Sequence, residues 1–461
     1  MPSDNFRIKL LKTGLIVCLL PLFGLILFSC KECPAEPESD NRITTINLEL
    51  VRTWTTSLTF RVSVVDTSAS WTFGLVRDDS IVLEQSVSGK DTIVTDRGLT
   101  PNTQYRYHAC WMKKGVAKDS SEEVIATTMD TTSHDIHWEM DIIGEYHSIL
   151  RDVVIINEDN IWAVGEIQTD SGTYNAVKWN GNFWHVFNIE AYYGTALVNP
   201  PLYSIQYISD NDIWACTGVP EHWNGIEWNI YHLWDMNILN EDEGGVYVIS
   251  NNFQSGLYFV GNNGTLVRYC NKSFKKMESG TDINLVDIWG RSDGEIWVCG
   301  ATNDAAEGIL LEKSGDSWET VIKTDMRETG TTAPYDTLFG SIDGIWISEY
   351  GDSLWLVNGW GVFKYSISSG KFRWVYPRWW TQDNSYGKLF TIRGTADNDV
   401  FVSGDRGTIL HYNGESWKWY KEFYTPYLKL YSLDVNSGLI VIVGSSPEGK
   451  AAIVRGHLNQ S

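Results

Sequence analysis

The chain has 461 residues, 43% of them hydrophobic and 20% charged, so it is long enough for more than one domain and too apolar to be mainly disordered. Asp and Glu number 58 against 36 Lys and Arg, a net charge of −22, which argues against nucleic acid as a partner because phosphates would be repelled. The 22 Trp, 22 Tyr and 40 Gly favour strands joined by turns. We therefore expect an all-β protein.

Residues 1–29 have the pattern of an export signal. Three basic residues, Arg7, Lys9 and Lys12, precede an apolar run from Leu15 to Phe28 that is short for a membrane-spanning helix. The run ends in Leu27-Phe28-Ser29-Cys30, which resembles the lipobox of bacterial lipoproteins. The resemblance implies cleavage before Cys30, lipidation of Cys30 and anchoring in a membrane. The alternatives are an ordinary secreted protein or an uncleaved anchor.

The residues after Cys30 support the same localisation. Residues 30–42 are polar, contain two prolines and predict an extended tether. Lys31 resembles the second residue of lipoproteins sent to the outer membrane, so we expect a lipid-anchored protein of the cell envelope, in the outer membrane and either periplasmic or surface-exposed.

The cysteines downstream of the lipobox show no metal-binding or disulfide pattern. Five remain and they are widely spaced, without a Cys-x-x-Cys motif: Cys33, Cys110, Cys216, Cys270 and Cys299. Cys216 and Cys299 occupy the position of Val164 in a repeat described below, so we interpret both as buried small apolar residues. No cofactor and no metal are expected.

Residues 43–130 alternate in period two and predict a small β-sandwich. Their second half contains Leu99-Thr-Pro101-Asn-Thr103-Gln-Tyr105. This sequence resembles the L-x-P-x-T-x-Y signature of fibronectin type III domains. The resemblance implies a hydrogen bond between the Tyr105 hydroxyl and upstream backbone, and a role as a spacer.

Residues 135–458 repeat a strand that opens on an aromatic residue and closes on glycine, as in Trp162-Ala-Val-Gly165 and Trp297-Val-Cys-Gly300. The leading positions are 162, 214, 258, 297, 355, 401 and 441, about 46 residues apart on average, the length of a four-stranded propeller blade. The seventh copy supplies three strands, and an orphan strand within 135–143 precedes the first copy. We therefore predict a seven-bladed β-propeller closed by this N-terminal outer strand.

The repeats resemble the bacterial propeller superfamily that includes BNR-like, YVTN-like and photosystem-assembly-factor-like proteins. Such a resemblance implies the fold and leaves the function open, because propellers host many chemistries. The Asp/Asn turns of the repeats are interpreted as turn chemistry, and Trp184, Trp228, Trp318 and Trp417 as blade packing.

The sequence contains no catalytic motif that we recognise. The histidine motifs His-x-His, His-x-x-x-His and His-Glu-x-x-His, the Gly-x-Ser-x-Gly motif and the sialidase Asp box are absent. The only arginines placed like a sialidase triad are Arg151, Arg291 and Arg393, which we interpret as surface ion pairs. No catalytic residue is therefore assigned.

Insertions fall at the connections from an outer strand to the next inner strand, which cluster on one face of a propeller. They are rich in Trp, Tyr and Arg, the residues that dominate binding hot spots. The candidate ligand-face residues are Arg378, Trp379, Trp380, Tyr386, Tyr192, Tyr193 and Trp234.

These observations predict a membrane-anchored lipoprotein, monomeric and non-enzymatic, that presents one propeller face to a protein or glycan partner. The alternative is a carbohydrate-active hydrolase or lyase with its site over the channel. In either case nucleic acid is not expected as a partner.

Overall fold

Strands dominate the computed structural model of the chain. It describes residues 45–65, 70–113, 115–250, 253, 255–291, 294–329, 338–349, 351, 353–359, 361–376 and 387–458. The helical elements are short: α1 (Met326–Thr329) and two 3-10 turns, Asn262–Gly264 and Lys421–Phe423. The predicted signal peptide and Cys30 lie outside the described residues. Within those residues, no helix has the length and apolar character needed to cross a bilayer.

The first eight strands form two sheets around one apolar core. They are β1 (Ile46–Thr53), β2 (Ser57–Val64), β3 (Trp71–Arg77), β4 (Ser80–Val87), β5 (Asp91–Arg97), β6 (Gln104–Lys113), β7 (Val116–Ser120) and β8 (Val124–Thr127). One sheet has the order β1-β2-β5, and the other has β4-β3-β6-β7 with β8 also on β6. Phe60, Phe73 and Tyr107 are fully buried between the two sheets. The Thr100 backbone N–H donates a hydrogen bond of 2.9 Å to the Tyr105 hydroxyl, the contact expected from the sequence.

Thirty further strands form seven antiparallel sheets, numbered 1 to 7 along the chain. The closing strand β9 (Ile136–Ile143) comes first in the chain. Sheets 1 to 3 comprise β10 (Ile149–Asn157), β11 (Asn160–Thr169), β12 (Gly172–Trp179), β13 (Trp184–Phe187), β14 (Ala191–Tyr193), β15 (Ala196–Val198), β16 (Ser204–Ser209), β17 (Asp212–Cys216), β18 (Pro220–Trp223), β19 (Trp228–Ile230), β20 (Val246–Ile249), β21 (Leu257–Gly261), β22 (Leu266–Cys270) and β23 (Ser273–Met277).

Sheets 4 to 7 continue with the same four-stranded pattern. Their strands are β24 (Asn284–Gly290), β25 (Ile296–Ala301), β26 (Glu307–Ser314), β27 (Ser317–Asp325), β28 (Gly344–Trp346), β29 (Ser353–Asn358), β30 (Gly361–Ser366), β31 (Lys371–Tyr376), β32 (Leu389–Ala396), β33 (Asp399–Gly404), β34 (Ile409–Tyr412), β35 (Trp417–Trp419), β36 (Lys429–Asn436), β37 (Leu439–Ser445) and β38 (Ala451–Leu458).

The first strand of each sheet lies next to the first strand of the following sheet. These contacts form a closed cycle of inner strands, β10-β16-β20-β24-β28-β32-β36-β10. The core consists of apolar layers between neighbouring sheets; for example, Ile155 and Ala163 of sheet 1 pack with Val441 and Ile453 of sheet 7. The sheets therefore surround a common axis, and the inner strands line it.

The strand β9 completes sheet 7. It pairs with β38 along its whole length, from Ile136 opposite Leu458 to Ile143 opposite Ala451. Arg455 donates to Glu139 at 2.7 Å, and the Trp138 ring lies 5.0 Å from the Tyr420 ring of sheet 6. This is the pairing predicted for the orphan strand.

Sheet 2 differs from the other six sheets of the cycle because it has six strands. The hairpin β14-β15, from the connection between sheets 1 and 2, adds to it in the order β15-β14-β19-β18-β17-β16. Tyr192 of β14 pairs in parallel with Asn229 of β19. The sequence analysis did not predict this extension.

The two ends of the cycle receive different connections. One end, the entry face, carries the segments from an outer strand to the next inner strand, which in the described residues are 144–148, 188–203, 231–245, 278–283, 326–329, 338–343, 387–388 and 420–428. The other end, the turn face, carries the turns between the first and second and between the third and fourth strands.

The linker from the sandwich docks on the turn face of sheet 6. Asn398, in the turn between β32 and β33, donates to the Asp130 carbonyl at 2.7 Å, and its own carbonyl accepts from Thr132 at 2.8 Å. The sandwich itself contributes Thr55, whose hydroxyl donates to the Gly414 carbonyl at 2.8 Å. The sandwich is thus attached to the turn face, at the end of the cycle opposite the entry face.

Candidate binding site on the entry face

Five of the seven inner strands contain a β-bulge at the same place, close to where the strand starts on the entry face. In each case the residue before the bulge is opposite the glycine that closes the second strand, as Leu430 is opposite Gly444. The residues at the bulge are Arg151, Tyr247, Val286, Phe390 and Tyr431. A bulge redirects a side chain and interrupts pairing, and bulges are often found next to functional sites.

The bulge explains the glycine of the sequence repeat. A Cβ atom on Gly444 would lie 1.7 Å from the Lys429 carbonyl oxygen, and one on Gly261 would lie 1.9 Å from that of Gly245. The inner strand therefore approaches the second strand too closely for any side chain at this position.

Four of the bulge residues and a neighbouring tyrosine form two groups of contacting side chains at the entry end of the inner strands. The Arg151 guanidinium lies 4.6 Å from the centroid of the Tyr203 ring, and the Tyr203 and Tyr247 rings are 4.9 Å apart. Phe390 stacks on Tyr431 at 5.5 Å. Tyr203 is 36% exposed and the other four are partly buried. We call Arg151, Tyr203, Tyr247, Phe390 and Tyr431 the mouth cluster.

Carboxylates below the mouth cluster connect neighbouring inner strands. Asp152 accepts from the Ser204 hydroxyl at 2.8 Å and from the Ile205 N–H at 2.9 Å, and Asp434 accepts from the Ile155 N–H at 2.8 Å. Burial raises the pKa of both Asp152 and Asp434. These carboxylates therefore hydrogen-bond to the inner strand of the neighbouring sheet and hold the two sheets together.

Arg393 provides the corresponding contact on the other side of the channel. It makes a two-pronged pair with Asp287, at 2.9 and 3.0 Å, and its guanidinium lies 4.6 Å from the Trp289 ring. Asp287 also accepts from the Ile345 N–H at 2.9 Å. This ion pair therefore joins sheets 4, 5 and 6.

The structure separates the three arginines considered as a triad. Arg151 belongs to the mouth cluster, Arg393 pairs with Asp287, and Arg291 follows the last residue of β24 on the turn face, where it pairs with Glu295 at 2.7 Å. Arg151 and Arg291 lie at opposite ends of their inner strands, so the three do not share one pocket. The interpretation as surface ion pairs is also wrong for Arg291, which is itself buried, and for Arg393, whose partner Asp287 is buried.

Three of the predicted ligand-face residues lie in the described part of the chain. Tyr192 and Tyr193 are 39% and 43% exposed on the hairpin β14-β15. The His232 ring connects Tyr193 and Trp234, at 5.4 and 5.3 Å, and Tyr193 donates to Asp235 at 2.7 Å. The structure thus brings Tyr193 and Trp234 together. The other four, Arg378, Trp379, Trp380 and Tyr386, lie outside the described residues.

Sequence reasoning missed the mouth cluster and a second role for the Asp/Asn turns. The residue two positions before the repeat tryptophan accepts the indole N–H: Asn160 from Trp162 at 2.9 Å, Asp212 from Trp214 at 2.8 Å, and Glu295 from Trp297 at 2.9 Å. An acidic or amide residue at that spacing is a signal that could have been recognised. The bulge residues include arginine, valine, phenylalanine and tyrosine, so no common residue type marks the bulge in the sequence.

Other predictions about packing hold. Trp184, Trp228, Trp318 and Trp417 each lie in or against an apolar cluster between sheets. Cys216 and Cys299 are fully buried, and burial raises the pKa of both thiols. In the described ranges, no group of three or more His, Cys, Asp and Glu side chains has the arrangement to hold a metal ion.

Successive antiparallel sheets with a closed cycle of inner strands define the β-propeller class. Among solved structures, the chain is similar to YCF48 bound to D1 peptide, with a TM-score of 0.50 and 15% identity over 70% of this chain and 95% of that one. It is also similar to the WD40 β-propeller domain of Doa1 (TM-score 0.48, 12% identity, 70% of this chain and 98% of that one) and to the WD40 repeats of RRP9 (0.47, 11%, 71% and 99%). The likeness to the YCF48 structure, together with the closed cycle of inner strands, confirms the propeller fold.

No protein-family model matches the chain, and no curated protein matches it. At the identities above, the structural likeness concerns the fold alone. The function has to be argued from the site.

Proposed function

We propose that this protein is an exported, lipid-anchored, non-enzymatic binding protein whose seven-bladed propeller presents its entry face to a partner. The observation that carries the proposal is the mouth cluster, in which bulges place three aromatic rings and one guanidinium at the entry end of the inner strands and Tyr203 adds a fourth ring. Aromatic residues and arginine provide large contact areas and directed hydrogen bonds, and they dominate binding hot spots.

The attachment of the sandwich supports the choice of face. Residues 130–134 dock on the turn face, so the chain before them leads away from the mouth cluster. With Cys30 lipidated and a fibronectin type III-like sandwich as spacer, the entry face would point away from the membrane. A tethered binding protein needs this orientation to reach its partner.

The chemistry of the cluster favours a protein over a glycan as the partner. Arg151 forms no ion pair within the described residues and its buried Nε lacks a hydrogen-bond partner there, which leaves a positive group for an anionic or carbonyl group of the partner. The YCF48 structure holds a peptide, which is consistent with a propeller that binds polypeptide.

The test compares two ligand classes on one set of variants. Purified protein that starts at residue 31, without the signal segment and Cys30, is applied to peptide and glycan arrays together with the same protein carrying Tyr247→Ala/Tyr431→Ala. The control is Phe183→Ala, a 59% exposed aromatic residue on the turn face. We expect peptide binding that falls at least tenfold in the double variant and is unchanged in the control.

Other results would contradict the proposal. Equal binding by the double variant would show that the mouth cluster is not the binding site. If no ligand binds on either array, the proposed binding function is wrong. Release of reducing sugar from an arrayed glycan would establish the enzymatic alternative in its place.

A further inference from the structure

The hairpin β14-β15 leaves an unpaired strand at the rim of the entry face. Among the described residues, no strand pairs with the outer edge of β15, and all three of its residues, Ala196, Leu197 and Val198, are exposed. Tyr192 and Tyr193 of β14 flank them. An exposed strand edge offers free backbone N–H and C=O groups to another chain.

The composition of β15 sets it apart from the other sheet edges of the propeller. Each remaining outer strand in the described part carries an ionisable side chain that discourages pairing: His185 in β13, Lys275 and Lys276 in β23, Glu319 and Lys323 in β27, Lys371 and Arg373 in β31, Lys418 in β35, and Glu139 and Asp141 in β9. The sequence of β15 is Ala-Leu-Val, with no charged or polar side chain. The strand is only three residues long and is followed by Pro200 and Pro201, which limits open-ended association, but without a charged side chain it remains able to pair with one extended segment.

The backbone geometry shows which groups are free. A two-residue turn joins the strands, with Gly194 at φ 60°, the first central position of a type II′ turn. Tyr193 and Ala196 close this turn as a hydrogen-bonded pair, so the next pair, Tyr192 and Leu197, is non-hydrogen-bonded. The N–H and C=O of Leu197 therefore point outward from the sheet.

The hairpin is held in place before any partner arrives. Tyr193 donates to Asp235 and contacts the His232 ring, so β14 is fixed to the 231–245 connection as well as to β19. A fixed edge loses little conformational freedom on binding.

We propose that β15 is a docking edge to which an extended segment of a partner protein adds as a further strand of sheet 2. The inference rests on the proposed function in one respect, that the entry face receives a protein. Backbone hydrogen bonds to Leu197 would supply affinity, and the exposed Leu197 and Tyr192 side chains would select apolar residues at alternate positions of the segment.

Charge decides between a foreign partner and a second copy of this chain. Two chains that each carry −22 repel one another, and a three-residue strand offers little contact to overcome this repulsion. A segment with basic flanking residues is attracted instead, and Glu190 lies exposed next to β14. The fitting partner is an extended, apolar segment with basic flanks.

The probe is the synthetic peptide Lys-Val-Thr-Val-Thr-Val-Lys with blocked ends, titrated calorimetrically into the protein that starts at residue 31. A second peptide carries N-methyl groups at alternate residues, which keeps charge and composition but removes backbone donors. We expect the N-methylated peptide to bind at least tenfold more weakly. Leu197→Lys, which guards the edge and leaves the hairpin backbone intact, should weaken binding of the first peptide to the same extent.

A matched variant completes the test. His185→Lys places a lysine at an exposed position of the outer strand β13 and should bind the probe like the unmodified protein. Equal binding of both peptides, equal binding by Leu197→Lys, or no binding of the first peptide would each overturn the inference. A dimer in sedimentation that becomes monomeric in Leu197→Lys would overturn it too, by showing a second copy as the occupant.

The outcomes separate this inference from the proposed function. An array ligand that is lost in Tyr247→Ala/Tyr431→Ala and kept in Leu197→Lys would support the mouth cluster and overturn the docking edge. A probe that binds β15 while no array ligand is found would support the edge alone.

Discussion

Glu221 lies in β18 opposite Ala215, at a position that is apolar in the other sheets. The equivalent residues, read from the strand pairing, are Val177, Val267, Leu311, Phe363, Leu410 and Val454. Glu221 is 0% exposed, and neither carboxyl oxygen has a hydrogen-bond partner among the described residues. Burial raises the pKa of this carboxyl to about 8, so it carries a proton at pH 7.

This protonation predicts a dependence of stability on pH. The unfolded carboxyl has its ordinary pKa of 4.5 and the folded one a pKa of about 8, so between these values the folded state binds one proton more. Raising the pH through this window therefore destabilises the folded state by up to about 1.4 kcal/mol per pH unit. We expect Glu221→Gln to remove this contribution.

The measurement is urea unfolding at pH 5, 6.5 and 8. The free energy of unfolding of Glu221→Gln, relative to the unmodified protein, should rise across this series by roughly 3–4 kcal/mol. Glu227→Gln, an exposed neighbour, serves as the control and should show no such trend. A constant difference would mean that Glu221 is ionised in the folded protein.

At the scale of elements, the bulge and its opposing glycine act as one unit. Gly444 has no room for a side chain because the Lys429 carbonyl occupies the position of a Cβ atom. By contrast, a Cβ atom on Gly359 would meet nothing nearer than Lys388 Cγ at 3.5 Å. Only Gly444 therefore has to be glycine because of the close approach of the inner strand; Gly359 has room for a methyl group.

We expect Gly444→Ala to lower the free energy of unfolding by at least about 2 kcal/mol, because the inner strand has to move away from the second strand. Gly359→Ala should change it by less than about 1 kcal/mol. Chemical denaturation of both variants is the measurement. An unchanged free energy of unfolding in Gly444→Ala would show that the close approach at the bulge is not required for the pairing of the two strands.

The closing strand is the second element with a predicted effect. Deleting residues 136–143 exposes the whole edge of β38 and removes the contacts of Trp138 with Tyr420 and Phe423. We expect a loss of several kcal/mol and aggregation, since a long unpaired edge associates. The exposed substitution Met140→Thr, which retains the strand, is the control; light scattering and thermal unfolding are measured. A monomeric deletion variant with an unchanged melting temperature would contradict the role of β9.

Strands and turns could be predicted from the sequence where their pattern depends on residues close together in the chain, and not where it depends on distant ones. Alternation in β2 and β6 and the closing glycines of the repeat follow from packing and close approach within one sheet, so they are visible in the sequence. The addition of β14 to β19 brings the connection between sheets 1 and 2 against the outer strand of sheet 2 and depends on the shape of the assembled cycle. The mouth cluster likewise combines residues of four inner strands with Tyr203, so no single stretch of sequence contains it.

At the scale of the whole molecule, the proposed orientation depends on the anchor. Cys30 precedes the sandwich, and the sandwich joins the turn face through Thr55 and the linker. We expect Cys30→Ala to yield an unprocessed or soluble product, because cleavage and lipidation of a lipoprotein both need the cysteine. Partition into detergent and the mass of the purified protein are the measurements. A Cys30→Ala variant that still carries lipid would contradict the lipoprotein interpretation, while the propeller and its entry face would be unaffected.

The pairing of β9 with β38 also has a consequence for when the protein folds. The two strands are more than 300 residues apart in the chain, so the ring cannot close until almost the entire polypeptide is available. Contacts of such long range carry a high loop-closure entropy and make folding slow. Until β36 is available, β10 lacks its neighbour in the cycle, and until β38 is available, β9 remains an unpaired strand. A chain that crosses a membrane unfolded would therefore complete its propeller only on the far side, as the last step of folding.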